Sequence, residues 1–247
     1  MIRKRLFFDI ETSPNIGLFW KPGYKLSIGY ENITGERAII CISYKWAGDK
    51  LHNLTWDKDK NDKNMLEKFI KVVNKADEIV AHNGDKFDVK WLRTRCIKFG
   101  IAMNPDIQTI DTLKLARSKF TFNSNRLDYI AKYLGVGEKQ ETGGLNLWKD
   151  ITINNNRRSL RKMVEYCDND VVILEKVWDK LNEYVPAKTS IGRVYSDCPE
   201  CGSEHTVINK YRVSAAGMKR VSLRCTDCGK YHTIPQSKLE INKEFKG

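Results

Sequence analysis

The chain has 247 residues, 41% hydrophobic and 30% charged, with 16 Gly and 6 Pro. That length buries a real core, and the scattered glycines and prolines, with ample apolar content, exclude a disordered chain. Lys and Arg number 43 against 31 Asp and Glu, a formal charge of +12 that favours a polyanionic partner, nucleic acid first and an anionic membrane surface second. No apolar run reaches the ~20 residues that span a bilayer, and the opening MIRKRLFFDIETS sets acidic residues where a signal peptide needs its apolar stretch. The chain is therefore expected to be neither membrane-spanning nor secreted.

In chain order, Arg5 to Ile10 reads as a strand, and Ala38 to Trp46 and Leu51 to Trp56 read as two more, joined through the Gly48-Asp49 turn as a hairpin. Leu66, Phe69, Ile70 and Val73 recur at helical spacing, Glu78 to Ala81 is a short strand, and Val89, Leu92, Cys96 and Phe99 form the stripe of another helix. Ile107 to Ile110 is a fifth strand. Leu127, Ile130, Ala131 and Leu134 mark a helix that Gly135 stops, and a loop rich in Gly, Thr and Asn follows. Leu160, Val164, Cys167, Val171, Leu174, Trp178 and Leu181 then predict one helix or two abutting ones, ending near Pro186. Strands alternating with helices predict an α/β layer fold. Beyond Ala187 the pattern turns to short β pieces around paired cysteines, so a boundary is expected near 186, giving domains 1–186 and 187–247. The tail holds 11 basic and 6 acidic residues, so both parts are basic.

Asp9 and Glu11 lie two apart on the first strand, where a period of two turns both carboxylates to one face. Asp88 opens a helix just after a strand, a corner where α/β sheets build sites. Tyr166 and Asp170 share one face of the long helix, at the edge of its buried stripe. Such carboxylates repel one another unless hard divalent cations neutralise them, and two ions about 4 Å apart stabilise the attacking and leaving oxygens of a displacement at phosphorus. A tyrosine hydroxyl one turn from an acidic ligand can orient the attacking water. Taken singly, an Asp in the position of Asp88 is usually a helix cap or dipole partner, and a pair like Tyr166/Asp170 is more often an ordinary boundary pair. Asp168 and Asp85 are expected to point elsewhere. Arg93, Arg95 and Lys98, or Arg157, Arg158, Arg161 and Lys162, read as phosphate-backbone tracks or as solvated faces, and Trp20, Tyr24 and Tyr30 as base-stacking or lid aromatics.

Phe8-Asp9-Ile10-Glu11-Thr12, Asn83-x-x-x-Phe87-Asp88 and Tyr166-x-x-x-Asp170 resemble, in order, the three motifs of the DEDDy 3′–5′ exonucleases, above all the proofreading domains of family B DNA polymerases and their stand-alone, often phage-encoded relatives. The resemblance spans roughly residues 5 to 184. It implies an RNase H-like fold, a mixed sheet flanked by helices, and hydrolysis with two Mg²⁺ or Mn²⁺ ions that releases nucleoside 5′-monophosphates from a 3′ end. It further implies that Asp9, Glu11 and Asp170 ligate the first metal, that Asp9 bridges to a second supported by Asp88, and that Tyr166 orients the water. Thr12, Asn83 and Phe87 match family positions near the terminal nucleotide.

Cys198-Pro-Glu-Cys201-Gly and Cys225-Thr-Asp-Cys228-Gly form C-x₂-C-x₂₃-C-x₂-C, two knuckles with room for a β-hairpin between them. Four thiolates suit one structural Zn²⁺, and the pattern resembles a zinc ribbon. A redox dithiol, or a mixed site using His205 or His232, is the competing reading. Cys41, Cys96 and Cys167 are expected to be core thiols in a reducing compartment. Lys219, Arg220 and Arg224 on the ribbon's second strand suggest nucleic-acid contact.

The expected function is a metal-dependent 3′–5′ exonuclease on single-stranded or frayed DNA 3′ ends, in the cytoplasm of a bacterial or phage-infected cell. Its expected partners are DNA and a DNA polymerase or other replication or recombination protein in trans, with no membrane. The alternatives are a non-catalytic nucleic-acid-binding or polymerase-accessory protein, and a ribonuclease or structure-specific endonuclease on the same core.

Overall fold

A computed structural model describes residues 3–21, 23, 28–138 and 144–239. Five strands make the main sheet: β1 (Arg5–Thr12), β4 (Ile39–Trp46), β5 (Leu51–Thr55), β6 (Glu78–Ala81) and β7 (Gln108–Asp111), in the order β5-β4-β1-β6-β7. β1 lies antiparallel to β4 and parallel to β6, so the sheet is mixed. β4 and β5 are the expected hairpin, and Gly48 takes the left-handed φ of 71° that its turn needs. The short strands β2 (Ile16–Gly17) and β3 (Ile33–Gly35) form a separate ribbon between β1 and β4.

β1 is central, and Leu6, Phe7 and Phe8 are wholly buried. Its alternation sorts two layers. Leu6, Phe8 and Ile10 join the core beneath α1 (Lys63–Val73) and α2 (Asp88–Phe99). A second apolar cluster gathers Ile40, Cys41, Leu147, Ile151, Met163 and Cys167, the last two from α6 (Arg157–Asn182), a single helix of 26 residues. Phe8 and Phe69 rings meet at 5.5 Å, and truncating such a core ring typically costs about 3–5 kcal/mol.

Two helices were not expected. α3 (Thr112–Lys119) is capped by the Asp111 side chain, and α5 (Leu145–Thr152) lies where a loop was expected, anchored by Leu147 and Ile151 one turn apart. α4 (Leu127–Tyr133) ends before Gly135, which takes a φ of 65°. Among the described residues no helix is long and apolar enough to cross a membrane.

The described residues divide into two compact units, 5–177 and 178–239 with 3–4. The dividing point falls within α6, ahead of Pro186. The second unit carries β8 (Thr206–Val213), β9 (Lys219–Cys225) and β10 (Tyr231–Pro235), an antiparallel sheet with β9 in the middle. In it Lys230 Nζ donates to the Asn182 carbonyl at 2.5 Å and so caps the end of α6, while Arg3 Nη2 donates to the carbonyls of Thr189 and Pro199.

Arg95 corrects one expectation. It is buried rather than turned to solvent, and its guanidinium grips the wholly buried Asp62 through Nε–Oδ2 at 2.7 Å and Nη2–Oδ1 at 2.5 Å. Asp62 Oδ2 also accepts the Ile39 amide at 2.9 Å, so one carboxylate ties α1, α2 and β4 together. Arg95→Met should destabilise the protein by about 3–5 kcal/mol, because it strands a buried charge. Chemical denaturation would read the loss, and a change below about 1 kcal/mol would contradict the linchpin role.

Candidate active site and four-cysteine centre

Asp9 and Glu11 project from β1 on the face opposite Phe8 and Ile10, with a register shift between Glu11 and Thr12 against β4. Such a bulge turns side chains at a strand end. Asp170 comes from α6, four residues beyond Tyr166, and both are buried. One carboxylate oxygen from each of Asp9, Glu11 and Asp170 lies within 4.8 Å of the others. The structure thus brings three of the four expected carboxylates into one cluster.

Asp88 is not in that cluster but acts on it. It is 2% exposed, and its Oδ1 has no hydrogen-bond partner among the described residues. Burial first, then the Asp9 charge, push its carboxyl well above the ordinary carboxylate range, against the opposing backbone hydrogen bonds of Asp88 and Ile10. A buried carboxylate with one unpartnered oxygen, close to the charges of Asp9 and Glu11, is suited to a cation's ligand shell, and hard oxygen donors suit Mg²⁺ or Mn²⁺.

Cys167 sits below Asp9, its Sγ 3.4 Å from the Asp9 carbonyl and 3.5 Å from Oδ2. Burial first, then the sulfur of Cys41, hold this thiol well above its ordinary pKa, so it stays protonated and donates. It was expected only as a core thiol. Asp168 points away as expected, accepting Ser43 Oγ at 2.6 Å and Asn53 Nδ2 at 2.9 Å. Asp85 pairs with Lys114 at 2.8 Å.

A cavity of about 520 Å³ opens beside Asp9 and Asp170, bounded by His82, Asn83, Arg117, Asn125 and Arg126 among others. Asn83 adopts a left-handed φ of 65°, and its amide donates to Asp111 Oδ1 at 3.0 Å. The same oxygen accepts the amides of Leu113 and Lys114, so Asp111 fixes the Asn83 turn and the start of α3 at once. Gly84 follows because a Cβ there would sit 2.6 Å from the Ala81 Cβ. His82 donates from Nε2 to the Asn125 carbonyl at 3.0 Å, and its Nδ1 lies 2.9 Å from the Thr112 hydroxyl. Asn125 Oδ1 is buried without a hydrogen-bond partner among the described residues.

Thr12 and Phe87 do not line this cavity. The Thr12 carbonyl accepts Trp148 Nε1 at 2.9 Å, and Phe87 is a surface ring set edge-on to Trp91, which also has the Arg37 guanidinium 4.9 Å from its centroid. Trp20 is fully exposed and Tyr30 nearly so, while Tyr24 lies outside the described residues. The cavity's Asn123–Arg126 segment escaped sequence reading. Its one signal was a polar Asn-Ser-Asn-Arg run ahead of α4.

In the second unit the sulfurs of Cys198, Cys201, Cys225 and Cys228 also lie within 4.8 Å of one another, with Cys198–Cys228 at 3.5 Å and Cys201–Cys225 at 3.6 Å. Four sulfurs held about 2.3 Å from one tetrahedral ion stand about 3.8 Å apart, so the cluster fits such an ion. Gly202 and Gly229 take φ of 72° and 75°, and their amides return to the carbonyls of Cys198 and Cys225. Burial works against the Cys225 thiolate, yet the amides of Cys228 and Asp227 outweigh it and lower that thiol's pKa. His205 is exposed and faces Asp227 at 3.2 Å, outside the sulfur cluster, and His232 is likewise outside it. The cluster is compatible with a zinc ribbon.

Residues 6–182 match the RNase_H superfamily. The chain belongs to that superfamily. It is 34% identical over 100 residues to a DNA polymerase of Thermococcus kodakarensis, covering 40% of this chain and 6% of that protein. It is 28% identical over 158 residues to the DNA polymerase III PolC-type of Ureaplasma parvum, covering 56% of this chain and 10% of the relative. In fold it is similar to the family B DNA polymerase of Pyrobaculum calidifontis, with a TM-score of 0.56 and 17% identity over 73% of this chain and 25% of that one. The chain therefore spans only a small part of the polymerases it matches. The RNase H-like fold and the kinship with family B DNA polymerases expected from the three motifs both hold.

The raised pKa of Asp88 carries a pH prediction for protein freed of Mg²⁺ and Mn²⁺. The unfolded carboxyl ionises near 3.8 and the folded one keeps its proton to higher pH, so stability contributed by that proton is lost as pH rises from 3.8 through the folded pKa. Asp88→Asn should therefore melt at a higher temperature than the parent at pH 8, with a difference that shrinks toward pH 4. Parallel melting curves at both pH values would contradict it.

Proposed function

We propose that the chain is a 3′–5′ exonuclease that hydrolyses phosphodiester bonds at single-stranded or frayed DNA 3′ ends and releases nucleoside 5′-monophosphates in replication, repair or recombination. The observation that carries this reading is the meeting of Asp9, Glu11 and Asp170 within 4.8 Å beside a polar cavity large enough for a nucleotide. Kinship with DNA polymerases supports DNA as the substrate, and the three motifs in exonuclease order support the 3′ polarity.

Two Mg²⁺ or Mn²⁺ ions, one held by Asp9, Glu11 and Asp170 and a second by Asp9 with Asp88, would supply Lewis-acid neutralisation of charge at the scissile phosphate. Tyr166, one helical turn before Asp170, orients the attacking water through a hydroxyl that both donates and accepts. Cys167 fixes the Asp9 carboxylate from below. Asn83 and the unpartnered Asn125 Oδ1 receive the terminal nucleotide, and Arg117 and Arg126 face its phosphates from the cavity wall. Cys198, Cys201, Cys225 and Cys228 hold one structural Zn²⁺.

Asp9→Asn or Asp170→Asn should lower nucleotide release on the order of a thousandfold or more, while Tyr166→Phe loses on the order of a hundredfold because the carboxylates remain. End-labelled DNA and RNA, single- and double-stranded, with Mg²⁺ or Mn²⁺, would read this as a ladder receding from the 3′ end. A ladder from the 5′ end, internal cuts, or full activity in the Asp9 variant would each sink the proposal. Cys198→Ser should drop bound zinc from one ion per chain to none and expose the amides of 206–235 to rapid hydrogen exchange, as metal and folding are linked in such modules. Retained zinc in that variant would refute the four-thiolate site.

A further inference from the structure

We propose that one face of the β8-β9-β10 sheet is a second nucleic-acid contact, separate from the nuclease site, that takes the phosphodiester backbone of a single strand. The sheet register sorts the side chains. Val221 and Leu223 of β9 and Ile234 of β10 are buried together, so residues alternating with them occupy the opposite face. That face has three rows of directly paired residues: Val207, Arg224 and Tyr231; Lys210, Ser222 and Thr233; Arg212, Arg220 and Pro235. All are exposed except Ser222, which its neighbours cover.

The three strands hold five Lys or Arg and no Asp or Glu. Among the described residues, none of Lys210, Arg212, Arg220 and Arg224 pairs with a carboxylate. Surface charges pair elsewhere, as in Lys63–Glu67 and Lys114–Asp85. Here Arg212 lies directly opposite Arg220, a like-charge pair that weakens a sheet unless an anion sits between them. Arg220 and Arg224 stand four residues apart on one strand, about 13 Å, so the cations form a track rather than a point. At one end the half-exposed Tyr231 ring has the Arg224 guanidinium 5.8 Å from its centroid, leaving an aromatic platform beside a cation, the pairing that holds unstacked bases. Lys219, one of the basic trio read from sequence, falls on the other face by the same alternation.

The test is binding of the full chain to a labelled single strand of about 30 nucleotides, DNA and RNA in parallel, without Mg²⁺ or Mn²⁺, so no hydrolysis enters the readout. The Arg212→Gln/Arg220→Gln variant should bind at least tenfold more weakly. Its plot of log Kd against log salt should lose about 1.4 in slope, at about 0.7 per phosphate contact on a single strand. Arg212→Lys/Arg220→Lys should recover that slope. Unchanged affinity and slope in the Gln variant would overturn the proposal, as would equally tight binding of polyglutamate, which would indicate an acidic polypeptide partner. A measurement on the unaltered protein guards against misfolding: photocross-linking to a strand carrying 5-bromodeoxyuridine should yield adducts within 206–235. Adducts confined to 5–177 would overturn the proposal.

Discussion

Three carboxylates within 4.8 Å repel one another, and the 5–177 unit is organised around holding them together. The device is one strand buried on both sides. Because β1 lies at the centre of the sheet, its period of two sends Phe8 and Ile10 into the core under α1 and α2, and Asp9 and Glu11 the other way. Neither carboxylate can turn from its neighbours without moving a wholly buried phenylalanine. α6 closes the arrangement with Asp170, and its Cys167 donates to Asp9 from within the apolar layer. Repulsion is thus met by packing and by the Cys167 thiol, while at Asp88 burial first and the Asp9 charge second hold the carboxyl's pKa up.

The strands and long helices were legible because they are buried deeply enough to impose their period on the sequence. Arg5–Thr12, Ile39–Trp46 and Glu78–Ala81 read clearly for that reason, and Asp9, Glu11 and Asp170 followed from strand and helix geometry. α5 did not, since its eight residues hold only Leu147, Ile151 and Thr152 as buried positions. Nor did the polar fixings. Asp62 and Arg95 are 33 residues apart, and nothing local in either predicts that they meet, so Arg95 read as one more surface cation. Asp111 looked like the end of a strand, and only the fold reveals that its Oδ1 collects amides from both Asn83 and α3. Charge in a sequence reports ionisation, not burial.

The same point reshapes the net charge of +12. Arg95 contributes to that total but is spent internally, and Lys230 is spent on the carbonyl end of α6. Part of the positive charge that faces solvent lies on one face of a small sheet, where register alone decides which basic residues act together. Arg220 and Arg224 share that face with Lys210 and Arg212, while Lys219 does not.

That sheet also explains why four cysteines accompany it. Among the described residues the sheet's apolar cluster is Val221, Leu223 and Ile234 with Leu239 against them, a small core for the chain entropy it must offset. A row of like charges across β8 and β9 weakens it further. Binding free energy at the sulfur cluster is the term large enough to close the gap, and the αL glycines at 202 and 229 let both knuckles present their sulfurs without strain. An ion held by the four sulfurs would therefore act on the basic face through stability rather than contact, by supporting the fold of the sheet that carries it.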